Sequence, residues 1–289
     1  MKIDYDTLFT FVDDFSKGFE AWYKKQLIGK GKIQHNRPSR LSLSEILTIL
    51  VAFHQSGMAC FKYFYLTLCQ HERSLFPGLV HYARFVALMK RAFPALLCLL
   101  KSLQGEITDY LFIDATPMAL CHELREKRHK TFKGLSAKGK TSTGWFFGLK
   151  LHLLFNMKGE IVHLVITPGN GDDRKPVPGM MKGIISKLIG DKGYISKKLF
   201  HHLFEQGVPL ITKVKKNMKN CLMEMADKLM LMRRPFVETI FSSLKSLNTL
   251  IHHRHRSVIN AFAHLLAAFI NYQLRDHKPS LNSFLTQPS

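Results

Sequence analysis

The apolar residues of this chain change their spacing at about residue 105, and that change restricts the fold more than any other feature. Before it, Leu8, Phe9, Phe11, Val12, Phe15, Phe19 and Trp22 recur every three or four residues, the period of a helix with one buried stripe. In LSLSEILTILVAFHQSG, Ser42 and Glu45 have capping-box spacing, which predicts a helix over 43–55. Helical patterning continues to Leu100, broken by Pro77 and Gly78, with Pro94 at a cap or kink. After the change, DYLFIDATPM reads as a short strand, Tyr110 to Ile113, ending at Asp114 and followed by a Pro-containing turn. WFFGLKLHLLFN and EIVHLVITPGN alternate as antiparallel strands around a turn at Met157, Lys158 and Gly159. Ile184 to Ile189 is strand-like, with Asp191 just past its end and Ser196 placed to cap a helix; Val208 to Val214 is a further strand. Helical patterns return over Cys221 to Leu250 and Ile259 to Leu274. The order predicts an α/β fold: a helical domain over 1–104, then a mixed sheet with helices on its faces and at its C-terminal end over 105–289.

Charge narrows the partners. The chain has 42 Lys and Arg against 21 Asp and Glu, a net charge of +21, which excludes a near-neutral surface and makes a polyanion the first partner to consider. Basic runs from Arg125 to Lys150 and from Lys213 to Arg234 flank apolar stretches, so the excess lines a folded body instead of forming a detachable tail. The longest wholly apolar run, Ala92 to Leu100, is far short of the roughly 20 residues a membrane span needs. Asp4 and Asp6 stand where a secretion signal has its basic and apolar regions, so a cytoplasmic protein without a membrane partner is expected. Cys60, Cys69, Cys98, Cys121 and Cys221 lack paired spacing and point to neither a disulfide framework nor a zinc site.

Three carboxylates sit at element ends or on a periodic face: Asp114, Asp191 and Glu238. Hard divalent ions such as Mg²⁺ take oxygen ligands, and a carboxylate at the end of a buried strand is a cap, an ion-pair partner or a metal ligand. For Glu238 an ion pair with Arg234, four residues earlier, competes with metal binding. Asp172 and Asp173 suit an Asx-turn as well as a place near a metal. Tyr194 reads as a packing residue, His152 and His163 as polar-face residues, and Lys133 to Thr143 as a flexible basic loop without phosphate-loop spacing.

Taken together, IDATPM, KTFKGLSAKGKTSTGWFFGLKLHLLFN, TPGNGDDR, GDKGYIS and RRPFVETIFSSLK resemble the DDE transposases of bacterial insertion sequences, with the closest likeness to the IS982 family within the IS4 and IS5 assemblage. The resemblance implies a ribonuclease H-like catalytic core in which Asp114, Asp191 and Glu238 are catalytic and hold two Mg²⁺ ions, with Mn²⁺ as a substitute. A Tyr, Arg and Lys that accompany the Glu in the wider assemblage fall on Leu231, Arg234 and Lys245, so the Tyr is missing. Lys133, Lys138, Lys140, Lys192, Arg234, Lys245, Arg254 and Arg256 are the expected DNA contacts. The implied activity is transposition: binding terminal inverted repeats, cleaving phosphodiester bonds and joining 3′-OH ends to target DNA. It implies double-stranded DNA as partner, a homodimer or larger assembly on it, and a place at the bacterial nucleoid. A metal-dependent nuclease without strand transfer and a non-catalytic DNA-binding relic are the alternatives the residues leave open.

Overall fold

The computed structural model describes residues 3–29, 39–141, 144–214, 222–246 and 255–281. In chain order its helices are α1 (Tyr5–Gly29), α2 (Leu43–Gln55), α3 (Phe61–His71), α4 (Tyr82–Ser102), α5 (Val177–Met180), α6 (Lys197–Glu205), α7 (Met225–Arg233), α8 (Phe236–Ser246) and α9 (Val258–Gln273). The strands are β1 (Tyr110–Cys121), β2 (Ala137–Thr141), β3 (Gly144–Phe155), β4 (Ile161–Pro168), β5 (Lys187–Gly190) and β6 (Leu210–Thr212). Two compact units result. One takes in the chain up to Leu103 and His255–Leu274; the other takes in Gln104–Lys245 and the chain from Arg275 onward. No helix among the described residues is long and apolar enough to cross a membrane.

The first unit is helical. The capping box forms: Glu45 N donates to Ser42 Oγ at 3.1 Å and Ser42 N to Glu45 Oε2 at 2.7 Å, so α2 starts where its spacing predicts. Pro94 lies inside α4, which continues through it. Helix α9 belongs to this unit, whereas its position in the chain had placed it with the sheet. Nearly every residue from Asn260 to Gln273 is buried, as befits a helix apolar on all sides. Its two ends are tied to α4 and the residue after it: Asn260 Nδ2 donates to the Val86 carbonyl at 3.1 Å, and Gln273 Nε2 to the Leu103 carbonyl at 2.6 Å.

The second unit is mixed α/β, built on a curled mixed sheet in the order β2-β3-β1-β5-β6, with β4 also paired to β3. β3 pairs antiparallel with β1, β2 and β4, and β5 runs parallel to β1 and to β6. One face buries Leu111, Ile113 and Leu154 against Val177, Met180, Tyr194, Leu199 and Leu203. The other receives α8, whose Phe236 meets Phe112 edge-on at 4.8 Å and whose Phe241 meets Phe155 at 5.6 Å. Each such pair adds roughly 0.5–1.5 kcal/mol beyond its burial.

Two local expectations change. β1 does not stop at Asp114 but runs to Cys121 through Pro117, which pairs with Lys150. Beyond Phe112 its pairing with β5 ends, so the missing Pro amide faces an edge that needs no donor. The basic loop is in part a strand, β2, pinned to β3. Its glycines serve close approach: a Cβ on Gly139 would strike the Gly169 carbonyl, and one on Gly148 the Met118 carbonyl.

Candidate active site

Parallel pairing of β1 with β5 brings the first two acids together. Tyr110 pairs with Lys187 and Phe112 with Ile189; Asp114 and Asp191 each follow two residues later, and the charge of Asp191 reaches Asp114. Asp191 follows β5 and precedes a short 3₁₀ turn, Lys192–Tyr194, without making a side-chain capping bond to it. Asp114 accepts from the Ala115 amide at 2.8 Å and from Arg234 Nη2 at 2.7 Å. Its side chain keeps 21% exposure, and burial lifts its carboxyl above the usual carboxylate range. Arg234 and the Ala115 amide oppose that rise, while the charges of Asp191 and Asp173 add to it.

Helix α7 explains how Arg234 arrives there. Near its start, Asp227 accepts from the Tyr110 hydroxyl at 2.7 Å and from Lys187 Nζ at 2.8 Å, which fixes the helix against the beginnings of β1 and β5. From Tyr110 to Asp114 the strand advances ~13 Å, and from Asp227 to Arg234 the chain advances ~10 Å in helical geometry. Arg234, just past the end of α7, therefore reaches the level of Asp114 partway along β1 and meets it there. Leu231, where the wider assemblage has Tyr, is buried in this helix.

A second group lies across β3. Lys150 Nζ donates to Asp173 Oδ1 at 2.9 Å and to the Gly171 carbonyl at 3.0 Å. His152 is fully buried, not a polar-face residue: it stands opposite Ala115, its Nε2 is 2.8 Å from Thr167 Oγ1, and its Nδ1 is 3.9 Å from Asp173 Oδ1. Burial holds its pKa below the ordinary histidine value, Lys150 pushes it the same way, and Asp173 opposes. The adjacent acids divide the work between them. Asp172 makes the turn, taking the Arg174 amide at 3.0 Å and its guanidinium at 2.7 Å, which drops its pKa to about 2. Asp173 is the one whose charge reaches Asp114. Tyr194 is packed as expected, but its hydroxyl is buried without a hydrogen-bond partner among the described residues. Burial first, then the charges of Asp114 and Asp173, push that phenol well above its ordinary value.

Glu238 sits in the first turn of α8 and is exposed. The ion pair with Arg234 that competed with metal binding as a reading of Glu238 does not form; the guanidinium goes to Asp114 instead. Among the described residues no group of three or more His, Cys, Asp or Glu side chains stands close enough to hold a metal ion, so Glu238 is not gathered with the two aspartates. Lys133, Lys138, Lys140 and Lys192 are exposed, Lys245 is half-buried in the last turn of α8, and Arg256 is exposed beside the Ser257 cap of α9. Arg254 lies outside the described residues. Lys150, His152, Asp173 and Tyr194 were not singled out as site residues by their spacing; the one available signal was the acid pair after Gly171.

The donor chemistry suits a hard divalent ion. Mg²⁺ is commonly bound by one or two carboxylates with substrate phosphates completing its shell, and Asp114 with Asp191 supplies that minimum. The Asp114 carboxyl is raised first by burial and then by the charges of Asp191 and Asp173, against the pull of Arg234. A family model described as the transposase DDE domain matches residues 104–258, which span the whole sheet. No curated protein matches the chain.

Proposed function

Since the chain belongs to the transposase DDE domain family, we propose that it is a DNA transposase that binds the terminal inverted repeats of its element, cleaves phosphodiester bonds there and transfers the 3′-OH ends to target DNA. The observation that carries this reading is the pairing of β1 with β5, two residues beyond which stand Asp114, within β1, and Asp191, just past β5. The antiparallel β3–β4 hairpin followed by the parallel β1, β5 and β6 supports a ribonuclease H-like core.

In this reading Asp114 and Asp191 hold divalent metal, Mg²⁺ or Mn²⁺, and Glu238 joins them from α8 when DNA is bound. The ions, when bound, lower the pKa of the attacking water or hydroxyl and offset charge on the leaving 3′ oxygen. Arg234 fixes the Asp114 carboxylate and favours its ionised form. Lys150 fixes Asp173 beside the same acids. Lys133, Lys138, Lys140, Lys192, Lys245, Arg254 and Arg256 draw the phosphate backbone toward carboxylates that would otherwise repel it. Joining both ends of an element in one reaction requires two active sites on DNA, hence a homodimer or larger assembly.

The test is a strand-transfer assay on DNA ends bearing matched terminal repeats, with Mg²⁺. Joined products are expected. Nicked DNA without joining would assign a nuclease instead, and binding without nicks a non-catalytic DNA-binding protein.

A further inference from the structure

The β2–β3 hairpin presents Trp145 with 53% of its surface exposed. Lys140 pairs directly across from it, and the ammonium groups of Lys138 and Lys140 lie 5.1 and 5.5 Å from the indole centroid. Beside it, the segment 125–133 is anchored on the same strand: His129 stacks on Phe132 at 5.9 Å and meets the Phe147 ring edge-on at 5.9 Å. From 123 to 145 the chain carries seven Lys and Arg against two Glu. The result is an exposed indole with two ammonium groups over its ring, inside a strongly basic stretch. A nucleotide matches both parts, with a base for the indole and a phosphate for the lysines.

We propose that Trp145, with Lys138 and Lys140, is a stacking site for an unpaired base of DNA. A base already stacked inside a duplex offers no free π-face, so the indole selects single-stranded or locally opened DNA, while the lysines alone serve any phosphate backbone. Trp145 lies eight residues along β3 from Leu153, the partner of Asp114, or ~26 Å if the strand were straight. The site is therefore distinct from the acids. The proposal rests on the reading of this chain as a DNA-acting protein, but not on strand transfer.

The chain has two tryptophans, so Trp22→Phe leaves Trp145 as the only reporter in the full-length protein. With EDTA present to prevent cleavage, oligothymidylate is expected to quench Trp145 emission. Trp145→Ala should weaken oligothymidylate binding about tenfold while changing duplex affinity little, and Trp145→Phe should keep most of the binding. Equal losses on duplex and oligothymidylate, unchanged oligothymidylate affinity in Trp145→Ala, or quenching by polyglutamate alone would each overturn the site. Quenching by oligothymidylate in a protein that never joins DNA ends would sink the transposase reading and leave this one standing.

Discussion

Asp114 on β1 and Trp145 on β3 belong to the same sheet, yet their surroundings differ in charge and in access to water. Asp114 is mostly buried, bonded to Arg234 and the Ala115 amide, and surrounded by further acids that raise its pKa. Trp145 is half open to solvent, with two lysine ammonium groups over its ring. Low dielectric makes each interaction at the first end strong and fixes its geometry before any ligand arrives. High dielectric at the second end makes binding salt-sensitive and tolerant of sequence. The difference separates a place for chemistry from a place for grip.

The sharpest way to test that division is to neutralise the acid end. Asp114→Asn should lower DNA cleavage roughly 10³-fold, read in a nicking assay with Mg²⁺, and leave oligothymidylate binding at Trp145 intact. Cleavage near the unaltered rate would remove Asp114 from the site. Arg234→Ala comes next: it strands a mostly buried carboxylate and should cost about 3 kcal/mol in urea unfolding at neutral pH. That penalty should shrink on acidification, because a protonated Asp114 no longer needs the guanidinium. A pH-independent loss would mean that Arg234 stabilises by packing alone.

The two ends were not equally legible in the sequence. Asp191 just past its strand and the Ser42 capping box could be read locally, because each depends on residues a few positions apart. The Arg234–Asp114 pair joins residues 120 apart, so local spacing could offer Arg234 only Glu238 as an alternative partner. Pro117 and the glycines of 134–144 suggested turn and loop because local rules assume an ordinary strand. A free edge beyond Phe112 admits Pro117 to β1, and the close approach of the Gly169 carbonyl accounts for Gly139 in β2, while Gly134 keeps to a turn. His152 looked polar-facing by alternation, but the face it occupies is covered. For α9, composition was a better guide than chain position, since a helix apolar all round must be buried wherever it packs.

Between the ends lies Gly148, paired with Ala119 on one side and Ala137 on the other. Gly148→Ala places a methyl group against the Met118 carbonyl, which cannot rotate away. A loss of about 2 kcal/mol is expected in urea unfolding, with weaker binding at Trp145 and cleavage less affected. Equal damage to both functions would show that the ladder transmits the strain along its whole length. At the basic end, Lys138→Gln and Lys140→Gln should each reduce the slope of log affinity for oligothymidylate against log salt by ~0.7. An unchanged slope would mean that neither ammonium meets a phosphate.

The smallest effect concerns His152, the neutral group beside the acid end. Burial and Lys150 hold its folded pKa below the ordinary 6.5, so the unfolded chain binds more protons than the folded one as pH falls through that value. Stability should therefore fall on acidification from about pH 7 downward through 6.5, by no more than ~1.4 kcal/mol per pH unit from this group. His152→Gln, which retains a polar atom for Thr167, should flatten the dependence without removing it. His163 and His255, also lowered by burial, supply what remains. Asp173→Asn removes the one charge that favours the protonated ring, so it should carry the histidine's transition to lower pH. A transition in Asp173→Asn that stays at the wild-type pH would show that the 3.9 Å between Asp173 and His152 carries no charge coupling.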